Sequence, residues 1–117
     1  MKIADIADIL GATVLCCEDK ADREVNSACG SDMMSDVLAY VKDQAILLTG
    51  LVNPQVIRTA MMMDMHCVVF VRNKKPPAEI VELARDNGIV VLRSACRMYE
   101  ACGRLYASGL GTEESAL

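Results

Sequence analysis

Three runs along the chain are apolar at every position: residues 45–48, 67–71 and 89–92. They are rich in branched aliphatic side chains. A short run of this kind predicts a strand covered on both faces, as in a parallel sheet. Residues 13–17 make a fourth run, and residues 25–28 a shorter fifth. Between the runs the apolar positions recur every three or four residues. Met34, Val37, Leu38 and Val41 form one such stripe, and Val56, Ile57, Ala60 and Met61 a second. Ile80, Val81, Leu83 and Ala84 form a third, and Tyr99, Cys102, Leu105 and Tyr106 a fourth. Each stripe predicts a helix with one face to lay on a sheet.

Asn53-Pro54 reads as a helix N-cap followed by proline at the first helical position. Pro76-Pro77 can open the next helix, and Gly88 after Asn87 can close it. Gly109 closes the last helix, and Ile3–Leu10 reads as a short first helix ending at Gly11. The order is helix, strand, short strand, helix, then strand–helix three times. Such alternation implies right-handed crossovers and an α/β fold with a mainly parallel sheet of about four to five strands flanked by helices. No linker divides the chain, so residues 1–110 read as a single domain and residues 111–117 as a frayed polar tail.

Composition narrows the function. The 117 residues are 53% apolar and 24% charged, enough for one hydrophobic core. The net charge is −4, there is no Trp and only one Phe, so neither phosphate backbones nor bases find a platform. Nucleic acid and membrane are therefore not expected partners. The first residues lack a signal-peptide pattern, and no apolar stretch approaches the ~20 residues that span a bilayer. These features predict a cytoplasmic protein whose six cysteines are reduced thiols.

In an open parallel sheet, ligands bind beyond the carboxyl ends of the strands. The segments Thr49-Gly50-Leu51-Val52-Asn53-Pro54, Arg72-Asn73-Lys74-Lys75-Pro76 and Arg93-Ser94-Ala95-Cys96 fall on that edge, with Cys29-Gly30-Ser31-Asp32 nearby. Helix-start amides suit anions, and Gly30 and Gly50 allow close backbone approach. Arg72, Lys74, Lys75 and Arg93 add positive charge, so the loops together suit a phosphate or nucleotide. The expected ligand-binding residues are Gly30, Ser31, Asp32, Thr49, Gly50 and Asn53; Ser31, Asp32 and Asn53 are equally well read as helix caps.

Other constellations are incomplete. Gly109-Leu110-Gly111-Thr112 lacks the Gly-Lys-Ser/Thr ending of a P-loop. Cys16, Cys17, Cys29, Cys67, Cys96 and Cys102 form no C-x-x-C pair, so no metal or cofactor is expected. Cys96 reads as the start of a helix, where a thiolate is stabilised. His66, the only histidine, reads as a solvated turn residue. In the cluster Met61-Met62-Met63-Asp64-Met65, Met61 is expected in the core and Met62 or Met65 at a subunit contact. No catalytic residue set can be assembled.

The stretches Asp32-Met33-Met34-Ser35-Asp36-Val37-Leu38 and Ala45-Ile46-Leu47-Leu48-Thr49-Gly50 resemble the DRTGG domain. The strands at 67–71 and 89–92 and the segment Arg97-Met98-Tyr99-Glu100 continue the likeness. Residues 3–15 and Asp22-Arg23-Glu24-Val25 are similar to the start of that domain and of the HPr kinase N-terminal domain. The likeness covers residues 2–110. Met33 stands where the family pattern has Arg, and Leu51 where it has a second Gly. DRTGG domains accompany CBS domains, a class of pyrophosphatases, and phosphate acetyltransferases. The resemblance thus implies a non-catalytic regulatory domain, a homodimer that senses a nucleotide or another anionic metabolite. A protein-interaction subunit without a small ligand and a cysteine-based redox or metal accessory are the alternatives.

Overall fold

The computed structural model describes residues 1–40 and 45–111, Tyr40 by its backbone alone. Among the described residues five strands make one sheet: β1 (Thr13–Cys16), β2 (Ser27–Gly30), β3 (Ala45–Thr49), β4 (Cys67–Phe70) and β5 (Val90–Arg93). Five α-helices accompany them: α1 (Ile3–Leu10), α2 (Met34–Tyr40), α3 (Pro54–Met62), α4 (Ala78–Asp86) and α5 (Met98–Ala107). The spatial order is β1-β5-β4-β3-β2. β2 through β5 run parallel, while β1 lies antiparallel to β5 at one edge.

The continuous apolar runs are explained by cover on both faces. Ile46, Leu48, Cys67, Val69, Val90 and Leu92 point to the face covered by α1 and α5. Ala45, Leu47, Val68, Phe70 and Val91 point to the other, under α2, α3 and α4. Along β3, β4 and the first three residues of β5 the side chains alternate sides, yet neither side meets water, so polarity does not alternate there. The successive strand–helix–strand crossovers through α2, α3 and α4 all use one face. The chain then changes face after β5, sending α5 back across β2 and β3.

Element ends follow local chemistry. Gly11, at φ 58°, ends α1, and its N–H bonds the carbonyl of Asp8. The Asn53 side chain caps α3 by accepting from the Gln55 N–H at 2.8 Å, with Pro54 in the first turn.

Several expectations shift. The fifth run predicts a strand at 25–28, but β2 spans Ser27–Gly30. Val25 is fully buried beneath α1, and its N–H bonds the Met1 carbonyl rather than a sheet ladder. The last stripe is rotated: Ala101 and Leu105 are buried, whereas Tyr99 and Tyr106 are 93% and 65% exposed. The methionines exchange roles, since Met65 is buried and Met61 exposed. Val41 and the tail beyond Gly111 lie outside the described residues. Gly111 itself donates its N–H to the Asn26 carbonyl at 3.2 Å.

Candidate functional site

The carboxyl ends of β2, β3, β4 and β5 form one edge, and the expected ligand residues fall along it. Three of them meet directly. Asp32 Oδ1 accepts from the Gly50 N–H at 2.7 Å and from Thr49 Oγ1 at 3.1 Å. Thr49, fully buried, accepts in turn from the Leu51 N–H at 3.1 Å. This ties the loop before α2 to the turn between β3 and α3. The carboxylate is the natural partner, because the Gly50 amide has no sheet carbonyl at the end of the strand.

The remaining expected residues take separate places. Gly30 faces α5: a Cβ there would lie 2.8 Å from Cys102 Sγ and 3.2 Å from Met98 Sδ. Ser31 Oγ accepts from the Met33 N–H at 2.9 Å, and the Ser31 N–H bonds the Leu48 carbonyl at 3.0 Å. Asn53 caps α3.

Arg72 completes the arrangement. Its Nη2 lies 3.5 Å from Asp32 Oδ2, with both side chains about half exposed. The guanidinium covers Gly50, occupying the space that a Cβ would need. The sequence marks Arg72 only as one loop cation; its partner lies 40 residues away, a pairing that no local spacing announces.

Arg72 and its neighbour Asn73 both hold left-handed backbone, at φ 60° and 56°. Side chains with a Cβ rarely adopt that region, and such conformations persist where surroundings enforce them. Here the enforcement is hydrogen bonding: the Arg72 N–H bonds the Cys96 carbonyl at 2.7 Å and the Asn73 N–H the Ser94 carbonyl at 2.8 Å. The turn sends the Arg72 side chain toward Asp32 and the Asn73 carbonyl toward Arg93. Arg93 Nη2 and Nε reach that carbonyl at 3.1 and 3.3 Å.

Cys96 precedes α5 rather than starting it; it is buried, and its Sγ lies 3.6 Å from the Leu10 carbonyl. Burial pushes the Cys16 thiol up to about 11 and raises those of Cys67, Cys29 and Cys102 as well. Among the described residues no three His, Cys, Asp or Glu side chains gather as a metal site. His66 is half-buried rather than solvated. Its Nδ1 lies 3.1 Å from Arg23 Nη1. Among the described residues, no helix is long and apolar enough to cross a membrane.

The DRTGG domain family model matches residues 5–108. Among solved structures, the fold is similar to the CBS and DRTGG domains of the regulatory region of Clostridium perfringens pyrophosphatase, complexed with its activator diadenosine tetraphosphate. The TM-score is 0.73 at 18% identity, over 97% of this chain and 49% of that one. The chain thus spans about half the length of that regulatory region. No curated protein matches the chain.

Proposed function

The chain belongs to the DRTGG domain family, and on that premise we propose that it is a non-catalytic regulatory module that binds a nucleotide or other anionic metabolite at the carboxyl edge of its sheet. The observation that carries this reading is Arg72. Its guanidinium is half exposed at the carboxyl edge of the sheet, rests on Gly50, and has one long ionic contact to Asp32. A phosphate can take up the donors that Asp32 leaves free, because guanidinium presents five N–H groups in a planar fork. Releasing Asp32 would loosen the loop before α2, converting occupancy into a change at the surface of that helix.

The pyrophosphatase regulatory region, with its nucleotide activator, supports the class of ligand. A thermal-shift panel of nucleotides and phosphorylated metabolites tests the proposal: at least one raises the melting temperature, and Arg72→Ala diminishes that rise. A panel with no effect removes the small-ligand reading.

Assembly as a homodimer is part of the same proposal. It rests on Met62, 68% exposed on α3, and on the exposed Tyr99 and Tyr106 of α5. These apolar surfaces also favour the second reading, a subunit that contacts a partner protein without a small ligand. Light scattering tests the dimer: one that Met62→Lys dissociates supports it, and a monomer at high concentration opposes it.

A further inference from the structure

Behind the Arg72–Asn73 turn lies a cleft of about 390 Å³ between α4 and the antiparallel edge strand β1. That is within the size range of small-molecule sites. Its apolar lining comes from Leu15, Pro76 and Val81. Three cations from separate places also line it: Lys75 before α4, Arg85 near the end of α4, and Arg93 at the end of β5. The only carboxylate among the lining residues is Glu82, and among the described ion pairs it engages none of the three. The protein as a whole carries a charge of −4, so three cations around one carboxylate is a local reversal.

Arg93 is held for the purpose. Its guanidinium is fixed by the Asn73 carbonyl, and that carbonyl is aimed by the left-handed turn. Among the described contacts the Lys75 ammonium and the Arg85 guanidinium take part in no ion pair or hydrogen bond; the Cys17 thiol meets the Arg85 carbonyl, not its guanidinium. α4 begins at this cleft with Ala78, so the partial positive charge of its first turn adds to the field. Along α4 the seven residue steps from Ala78 to Arg85 span about 10 Å. Cationic groups therefore stand at both ends of the groove, with Val81 and Leu15 between them.

We propose that this cleft binds an organic phosphate, with the phosphate between Lys75 and Arg93 and the body of the molecule along Leu15, Pro76 and Val81. The inference rests on the anion-binding reading above and deepens it. One turn carries both Arg72, which latches Asp32, and Asn73, which orients Arg93, so a ligand on Arg93 acts on the Asp32 latch through two adjacent residues.

Amide NMR titration of the full chain tests this, with ADP, fructose 1,6-bisphosphate and adenosine as probes. ADP and the bisphosphate are expected to shift amides of Leu15, Lys75, Ala78, Val81 and Arg93, while adenosine at equal concentration does so weakly. Lys75→Ala, at an exposed position, weakens ADP binding about tenfold, and Arg93→Lys weakens it while retaining the charge and the fold. Shifts that gather at Asp32, Thr49 and Gly50 and bypass the cleft overturn this inference and leave the anion-binding reading standing. No shift with either phosphate at about 10 mM, well above a Kd of ~1 mM, overturns both.

Discussion

Asp32 serves three neighbours through two oxygens, Thr49 and Gly50 at Oδ1 and Arg72 at Oδ2, and the two oxygens can be separated by substitution. Asp32→Ala strands the buried Thr49 hydroxyl and the Gly50 amide, at a cost of about 1–3 kcal/mol. Asp32→Asn keeps an acceptor at Oδ1 and loses mainly the Arg72 contact, which is half exposed and is worth about 0–1 kcal/mol. Urea denaturation of the two variants is expected to show this order; equal losses would mean that Asp32 acts through charge alone. Gly50→Ala places a methyl where the Arg72 guanidinium lies. The flexible arginine yields, so the fold survives while the ligand response falls. The raised thiols give a pH signature. Cys16 keeps its proton to about pH 11 in the folded chain, against 9.0 in the unfolded one. Above pH 9 the unfolded state therefore binds fewer protons, and stability falls as pH rises toward 11. Alkaline denaturation should become shallower in Cys16→Ala. The sequence marks Thr49, Gly50 and Asp32 as belonging to one edge, because loops after parallel strands share it. It does not mark Arg72 as their partner or His66 as the neighbour of Arg23, since both contacts arise from chain crossings rather than local spacing.

At the scale of elements, legibility follows burial. β3, β4 and β5 stand out in the sequence because layers on both sides make every position apolar. β2 is misplaced by two residues because hydrophobicity reports burial, not ladder pairing: Val25 is buried by α1 before the strand begins. The helix period finds α5 but not its orientation, since tyrosines satisfy an apolar stripe and still stand in water. Phe70, fully buried under the α2–α3–α4 layer, anchors the sheet on that side. Phe70→Ala is expected to cost about 3–5 kcal/mol, read by chemical denaturation. Asn53→Ala removes the α3 cap and costs about 1 kcal/mol. A loss at Asn53 equal to that at Phe70 would mean that α3 is held by its cap rather than by packing.

The whole molecule joins a singly wound parallel sheet to one antiparallel edge strand, and that edge creates the cleft beside α4. Strand–helix alternation predicts the parallel part; β1 follows a helix and could join either edge in either direction, so its placement is not encoded in the period. Charge patterning matters at this scale too. An acidic protein repels anions at long range, and the cations of Lys75, Arg85 and Arg93 act over a distance comparable to the Debye length of about 10 Å at 0.1 M salt. ADP affinity is therefore expected to fall as salt rises, by calorimetric titration; a salt-independent affinity would place the ligand away from these cations. The most direct measurement is a crystal structure of the full chain grown with saturating ADP. Its phosphates are expected at the carboxyl edge of the sheet, against Lys75 and Arg93 and within reach of the Arg72–Asn73 turn. An ADP molecule bound elsewhere, or an empty carboxyl edge at saturation, would contradict that placement.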